Sequence, residues 1–156
     1  MMPATATLEN LSAMSTDPAE IARTAGAAMY ARDRASQHFG IRLDEIRPGY
    51  ARMSMTVVEW MLQGHDVCHG GILFAFADTC MAFASNSHNS VQLALNANID
   101  FLRPAALGDT LVAEAREGNR SRQTGMYDVS IVNGAGKAVC HFRGRTYAIG
   151  GAVIRE

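Results

Sequence analysis

Asp78 is the only formally charged side chain between Asp66 and Asp100, and it stands in an apolar run among Phe74, Phe76 and Met81. A carboxylate buried without a partner is costly, and Asp is a weak helix former. Three things keep such a residue in place: an arginine from another element, contact with water, or chemistry that needs a base or nucleophile in an apolar setting. Just upstream stand His69, Gly70 and Gly71. Paired glycines let a ligand approach the backbone closely, or let a turn take positive φ. If a helix begins there, its first N–H groups point outward and favour negative charge. A carbonyl oxygen becoming an oxyanion suits that place.

The spacing limits how the two groups can cooperate. Gly70 and Asp78 are eight residues apart, about 12 Å along one helix axis, so a single carbonyl does not touch both on one helix. Two antiparallel copies side by side bring Gly70 of one next to Asp78 of the other.

Other constellations are weaker. His65, Cys68 and His69 suggest zinc, but no second ligand pair follows at finger spacing; only Cys80, His88, Cys140 and His141 remain. No G-x-S-x-G elbow is present. Cys68 and Cys80 read as inert core thiols rather than nucleophiles. His141 reads as a surface or hydrogen-bonded residue. Gly134-Ala135-Gly136 joins two strands and opens no helix, so it is no dinucleotide fingerprint. Arg103, Arg120, Arg122, Arg143 and Arg145 are the cations available for phosphate groups.

These residues need elements to hold them. Residues 1–16 are small, polar and aperiodic, and read as a loose tail. Asp17 as cap, Pro18 and Glu20 then start a helix that runs through Ile21, Ala25, Ala28, Met29 and Ala35 towards a stop at Gly40. Ile41, Leu43 and Ile46 read as a strand and Pro48-Gly49 as a turn. Ala51, Met53, Met55 and Val57 alternate with polar residues as a half-buried strand. The segment Gln63-Gly64-His65-Asp66 breaks the pattern, and a helix follows from about Ile72 to Asn86. Four strands come after it: Val91 to Leu102, Thr110 to Arg116, Gly125 to Asn133 and Lys137 to Ile149. Turns are expected at Leu107-Gly108-Asp109, and hairpins at Glu117-Gly118-Asn119 and Asn133-Gly134-Ala135-Gly136. One long helix with strands before and after predicts an α+β fold, an antiparallel sheet wrapped on a central helix. That helix is apolar nearly all round, and one sheet covers only one face. A second copy is expected to cover the other.

The 156-residue chain suits a single domain over 17–156, long enough to bury roughly 70% of its unfolded surface without a staple. Hydrophobic residues at 48% and charged residues at 19% exclude a disordered chain. A net charge of −1 argues against binding nucleic acid through phosphate contacts. Thirteen of the 14 basic residues are Arg, Lys137 being the exception. Three cysteines without a framework spacing point to reduced thiols. The N-terminus lacks a signal-peptide pattern, and Ile72 to Ala84 is too short for a span and carries Asp78. A cytoplasmic protein without membrane contact is expected.

The segments GHDVCHGGILFAFADTCMAFASNS, NANIDFLRPAALGDTL and RQTGMYDVSIVN closely resemble the hotdog-fold acyl-CoA thioesterases of the phenylacetate-degradation type. The resemblance covers about Ala27 to Gly151. The most specific part is the HGG tripeptide followed by Ala77-Asp78, with Phe101-Leu102-Arg103-Pro104 downstream. It implies a long helix wrapped by a curved antiparallel sheet, two units sharing a continuous sheet, and active sites at the interface of a homodimer, often within a homotetramer. It implies hydrolysis of phenylacetyl- or hydroxyphenylacetyl-type CoA thioesters to free acid and CoA. No cofactor is implied, since CoA is part of the substrate.

Position by position, the resemblance assigns Asp78 as nucleophile or general base and Gly70 as oxyanion donor. His69 would shape the turn or position the thioester. Gln63 would lie near the carbonyl and the attacking water, where relatives more often carry Asn. Gly71, Thr79, Arg103, Thr124 and Gly125 are expected to contact substrate or CoA, the last two bordering the CoA channel. Phe74, Phe76, Met81 and Phe83 are candidates for the acyl pocket. Two rivals remain. A non-hydrolytic acyl-CoA sensor would dispense with the carboxylate. A hydratase or dehydratase would want a His paired with a carboxylate near the β-carbon.

Overall fold

The start signal at Asp17-Pro18 opens a helix in the computed structural model, which describes residues 15–155. The tail expected over residues 1–16 lies almost wholly outside them. Helix α1 spans Pro18–Arg32, and the Asp17 carboxylate accepts from the Ala19 N–H at 3.1 Å. Glu20 does not close a reciprocal box: its carboxylate accepts from the Ser15 hydroxyl instead. The helix expected to continue to Ala35 breaks at Asp33, whose side chain accepts from the Ser36 N–H at 2.9 Å and starts a short α2, Arg34–His38. An Asp side chain that bonds the backbone ahead of it competes with the helix it sits in. Gly40, at φ +68, then turns the chain into the sheet.

Six strands follow: β1 (Arg42–Arg47), β2 (Tyr50–Thr56), β3 (Gln92–Phe101), β4 (Thr110–Arg120), β5 (Thr124–Val132) and β6 (Ala138–Ala148). They form one antiparallel sheet in the order β1-β2-β4-β5-β6-β3. Helix α3, Gly70–Asn86, lies across it. The alternation read in β2 holds except at one position: Ala51, Met53 and Met55 are buried while Arg52 and Thr56 face water, but Ser54 is buried too, its hydroxyl donating to Asp44 Oδ1 at 3.1 Å. The helix seats closely because the sheet beneath it is partly small: Ala113 and Ala115 are fully buried, and a methyl at Gly144 would overlap the Met81 sulfur.

The turn expected at Glu117-Gly118-Asn119 is not one. Strand β4 continues to Arg120 with a bulge between Glu117 and Asn119, and the hairpin is made by residues 121–123. A glycine inside a strand marks a bulge as readily as a turn. Here Glu117 holds it, its carboxylate accepting from the Tyr127 hydroxyl at 2.8 Å and meeting His88 Nε2 at 2.9 Å.

Strand β3 is the second edge, and its alternation does not make it half-buried. Leu93, Leu95 and Phe101 are each more than half exposed. The helix likewise has two faces. Leu73, Phe76, Ala77, Cys80, Met81 and Phe83 are buried, whereas Ala75, Asp78, Thr79 and Ala82 are only half covered. Among the described residues no helix is long and apolar enough to cross a membrane.

Candidate active site

Asp78 lies on the half-covered face of α3. Among the described residues it makes no ion pair, so the arginine partner that would have explained it structurally is absent. Burial pushes its carboxyl above the usual Asp range, and no neighbouring charge offsets this. A carboxylate held at raised basicity without a structural partner is suited to take a proton or attack a carbonyl.

The start of α3 is built to present one amide. His69 is the N-cap, and its Nδ1 accepts from the Gly71 N–H at 2.8 Å. An accepting Nδ1 places the imidazole proton on Nε2. The Gly71 amide is therefore occupied and does not serve as an oxyanion donor. The Gly70 N–H has no partner among the described residues. The loop before it is pinned on both sides, the His69 N–H donating to the Met61 carbonyl and the Cys68 N–H to the Ala105 carbonyl, each at 2.8 Å. The need for glycine at position 70 comes from close approach: a Cβ there would stand 3.1 Å from the Phe101 ring. Phe101, which opens the FLRP segment, is not among the expected site residues.

Because His69 caps the helix through its side chain, His69→Ala should lower stability by about 1 kcal/mol, the usual worth of a cap. It should also reduce turnover by loosening the Gly70 amide. His69→Asn, which can still cap, should recover the stability; thermal melts of both variants check this.

The other expected residues divide. Gln63 closes its own turn, its Oε1 accepting from the His65 N–H at 2.6 Å and its N–H donating to Val67 O. Thr79 shares the half-covered face with Asp78. Thr124 is engaged in the β4–β5 hairpin, its N–H donating to Ser121 Oγ at 3.1 Å. Gly125 is buried where a methyl would meet the Tyr127 ring at 2.6 Å. Arg103 donates to the Ala138 carbonyl at 2.6 Å, and Arg143 pairs with Asp128 through two bonds. Arg120, Arg122 and Arg145 have no hydrogen-bonded side-chain partner among the described residues.

Of the expected acyl-pocket residues, Phe76, Met81 and Phe83 are fully buried in the core. Only Phe74 is partly open, and it packs edge-on against Phe142 at 5.3 Å. Burial raises the Cys68 and Cys140 thiols to about 11 and pushes Cys80 higher, which leaves all three protonated at neutral pH. Among the described residues no group of three or more His, Cys, Asp or Glu is placed to hold a metal ion.

Within one chain the pieces stay apart. Gly70 and Asp78 occupy the same helix, about 12 Å from each other along its axis. A groove of about 500 Å³ lies on the outer face of the sheet, among Asp100, Glu114, Arg116, Asp128, His141 and Arg143.

Comparison with known proteins bears on this arrangement. Residues 65–140 match a family model described as thioesterase superfamily. The chain is 45% identical over 129 residues to acyl-coenzyme A thioesterase PaaI of Escherichia coli, covering 83% of this chain and 92% of that one. The solved structure of the E. coli PaaI protein from the phenylacetic acid degradation operon superposes with a TM-score of 0.86 at 43% identity, over 87% of this chain and 99% of that one. A hypothetical thioesterase from Streptococcus pneumoniae, solved with coenzyme A, superposes with a TM-score of 0.70 at 25% identity, over 72% and 90% of the two chains.

Proposed function

Since this chain belongs to the thioesterase superfamily, and is an acyl-CoA thioester hydrolase of hotdog fold, we propose that its substrates are aromatic acyl-CoA thioesters of the phenylacetyl or hydroxyphenylacetyl type. The observation that carries the mechanism is Asp78, half-buried, unpaired and raised in basicity. The name of the E. coli relative and its operon support the acyl class. The coenzyme A bound by the S. pneumoniae relative supports the carrier.

The reaction follows from the groups available. The Asp78 carboxylate takes a proton from water as its oxygen attacks the thioester carbonyl. The Gly70 N–H, at the positive end of α3, holds the resulting oxyanion. The C–S bond then breaks, and the proton on Asp78 passes to the leaving CoA thiolate, giving free acid and CoA. The sensor alternative is disfavoured because the carboxylate is present. The hydratase alternative is disfavoured because no histidine is bonded to Asp78 among the described residues, and His69 stands nine residues before it, at the start of the same helix.

The site is completed by a second copy of the chain. The axial separation of Gly70 and Asp78, the half-covered helix face and the exposed edge strand β3 support a homodimer, with each site drawing Gly70 from one subunit and Asp78 from the other. Two such dimers form the tetramer. Cytoplasmic location agrees with three buried free thiols.

Release of free thiol across a panel of aryl and alkyl CoA esters tests the substrate class. The arylacetyl esters should lead, and a preference for long alkyl esters would overturn it. The pH dependence has a defined sign. Burial favours protonated Asp78, whereas the reaction needs the carboxylate, so kcat should fall on acidification with a midpoint above the ordinary Asp range. A kcat–pH profile on an arylacetyl ester checks this.

A further inference from the structure

Phe101 ends β3, and its side chain is more than half exposed. Among the described residues it pairs with no other aromatic ring. A phenylalanine left open forgoes the burial that favours it in a core. Side chains alternate along a strand. Asp100 lines the groove on the outer face of the sheet, so Phe101 turns to the face that carries α3.

There its ring meets the helix start tip first. A Cβ at Gly70 would stand 3.1 Å from the ring's Cζ, 3.3 Å from Cε1 and 3.7 Å from Cε2. These are the outermost atoms of the ring. The direction matters. In a helix the Cα–Cβ bond tilts towards the N-terminus, and the first N–H groups point the same way. The ring tip therefore stands off the same end of α3 as the free Gly70 N–H, within about 6 Å of its nitrogen.

Both sides of this contact are pinned. Phe101 is the last rung of the β3–β6 ladder, opposite Cys140. The Leu102 and Arg103 N–H groups both donate to the Val139 carbonyl, at 2.8 and 3.2 Å. Ala106 bridges to Val67, and the Ala105 carbonyl accepts from the Cys68 N–H at 2.8 Å, in the loop that enters α3. The strand end and the helix start cannot part without breaking these bonds.

We propose that Phe101 is a specificity residue, a wall beside the oxyanion amide that admits acyl groups with a CH₂ next to the carbonyl and rejects those branched at that carbon. The inference rests on Gly70 as the oxyanion donor, as read above. A carbonyl oxygen accepting from the Gly70 N–H lies about 2.9 Å from the nitrogen. The carbon next to the carbonyl is about 2.4 Å from that oxygen, which brings it within reach of the ring tip. A CH₂ can turn its one substituent away and face the ring with hydrogens. A branched carbon has fewer ways to do so, and the pinned backbone leaves the ring little room to yield. CoA is the same in every substrate, so crowding here sorts acyl groups alone. The selection concerns branching, whether an aryl or an alkyl group lies beyond it. The ring takes no part in proton transfer or bond breaking.

The test is a ratio: kcat/KM for phenylacetyl-CoA over that for the slower enantiomer of 2-phenylpropanoyl-CoA, both on one preparation. Comparing this ratio between variants cancels intrinsic reactivity and folded fraction. It should fall by about tenfold or more from wild type to Phe101→Ala, the lower end of what one carbon is worth in a fitted site, and part of the way in Phe101→Leu. The matching ratio for 4-methylphenylacetyl-CoA, whose methyl is distant from the carbonyl, should not move. A branching ratio unmoved in both variants overturns the proposal, as does an equal fall in the two ratios. If Phe101→Ala is inactive, Phe101→Leu alone decides. If aryl esters are not turned over, propanoyl- and 2-methylpropanoyl-CoA replace them, so a failed aromatic reading leaves this test intact. Near-normal turnover in Gly70→Ala overturns the oxyanion reading and this proposal together. A nearly dead Gly70→Ala with an unmoved branching ratio overturns this proposal alone.

Discussion

Asp78→Asn should lower turnover by about 10²–10⁴-fold, the range over which a positioned general base contributes, and more if the carboxylate forms a covalent bond. The substitution keeps the side chain's shape and removes its charge. The Gly70 amide and the surrounding groove are untouched, so CoA and its esters should still bind; calorimetric titration of the inactive protein checks this. Stability should move the opposite way from activity. The fold raises the carboxyl's pKa by desolvation, so this residue's contribution to stability is fullest in acid and is lost as pH rises through the raised pKa. The Asn variant carries no such dependence. Its melting temperature should equal or exceed that of wild type at neutral pH, and the difference should shrink on acidification. A variant that is inactive because it is unfolded would instead melt lower throughout.

Gly70→Ala should also be nearly dead, for a different reason. Loss of an oxyanion donor costs about 10²–10³ in turnover. Here the amide survives, but the added methyl is forced against the Phe101 ring at 3.1 Å, where the carbonyl has to enter. Near-normal turnover would place the oxyanion donor elsewhere. The two variants together test how the site is assembled. If each site takes Gly70 from one subunit and Asp78 from the other, a mixed dimer of Asp78→Asn and Gly70→Ala has one doubly damaged site and one intact site. Subunit exchange should then restore up to about half of wild-type activity per heterodimer, as two-fold symmetry requires. If one chain supplies both groups, no mixed dimer has an intact site, and the mixture stays inactive even with exchange shown independently by mass spectrometry.

The order of elements and the two features that single out α3 were legible because they depend on strong local signals. A charge alone in an apolar run marks Asp78, and a glycine pair before a helix marks Gly70. Where the reading failed, one residue type carried two meanings. Asp33 was passed over as a helical residue, although Asp caps helices as well as weakening them, and it ends α1 while starting α2. Gly118 was read as a turn, and it is a bulge because Glu117 is held by Tyr127 and His88, residues distant in the chain. Phe76, Met81 and Phe83 were offered to the acyl group because sequence separates apolar from polar, not core from pocket. His69 shows the same limit: its type suggested positioning, and only geometry shows that it takes the Gly71 amide, while the Gly70 N–H has no partner among the described residues.

The exposed edge strand has a further consequence. From Gln92 to Ile99 the chain carries no charge and no proline, and Leu93 and Leu95 stand open to water. Unpaired backbone beside apolar, uncharged side chains is a template for indefinite strand addition. Many proteins guard such an edge with a charge; here the strand's irregularity is a bulge between Ala94 and Asn96, and its first charge is Asp100, at the far end. If a second copy covers β3, then any state that leaves the strand bare sets aggregation in competition with correct pairing. Protein concentration then cuts both ways, favouring ordered association of folded chains and insoluble stacking of partly unfolded ones.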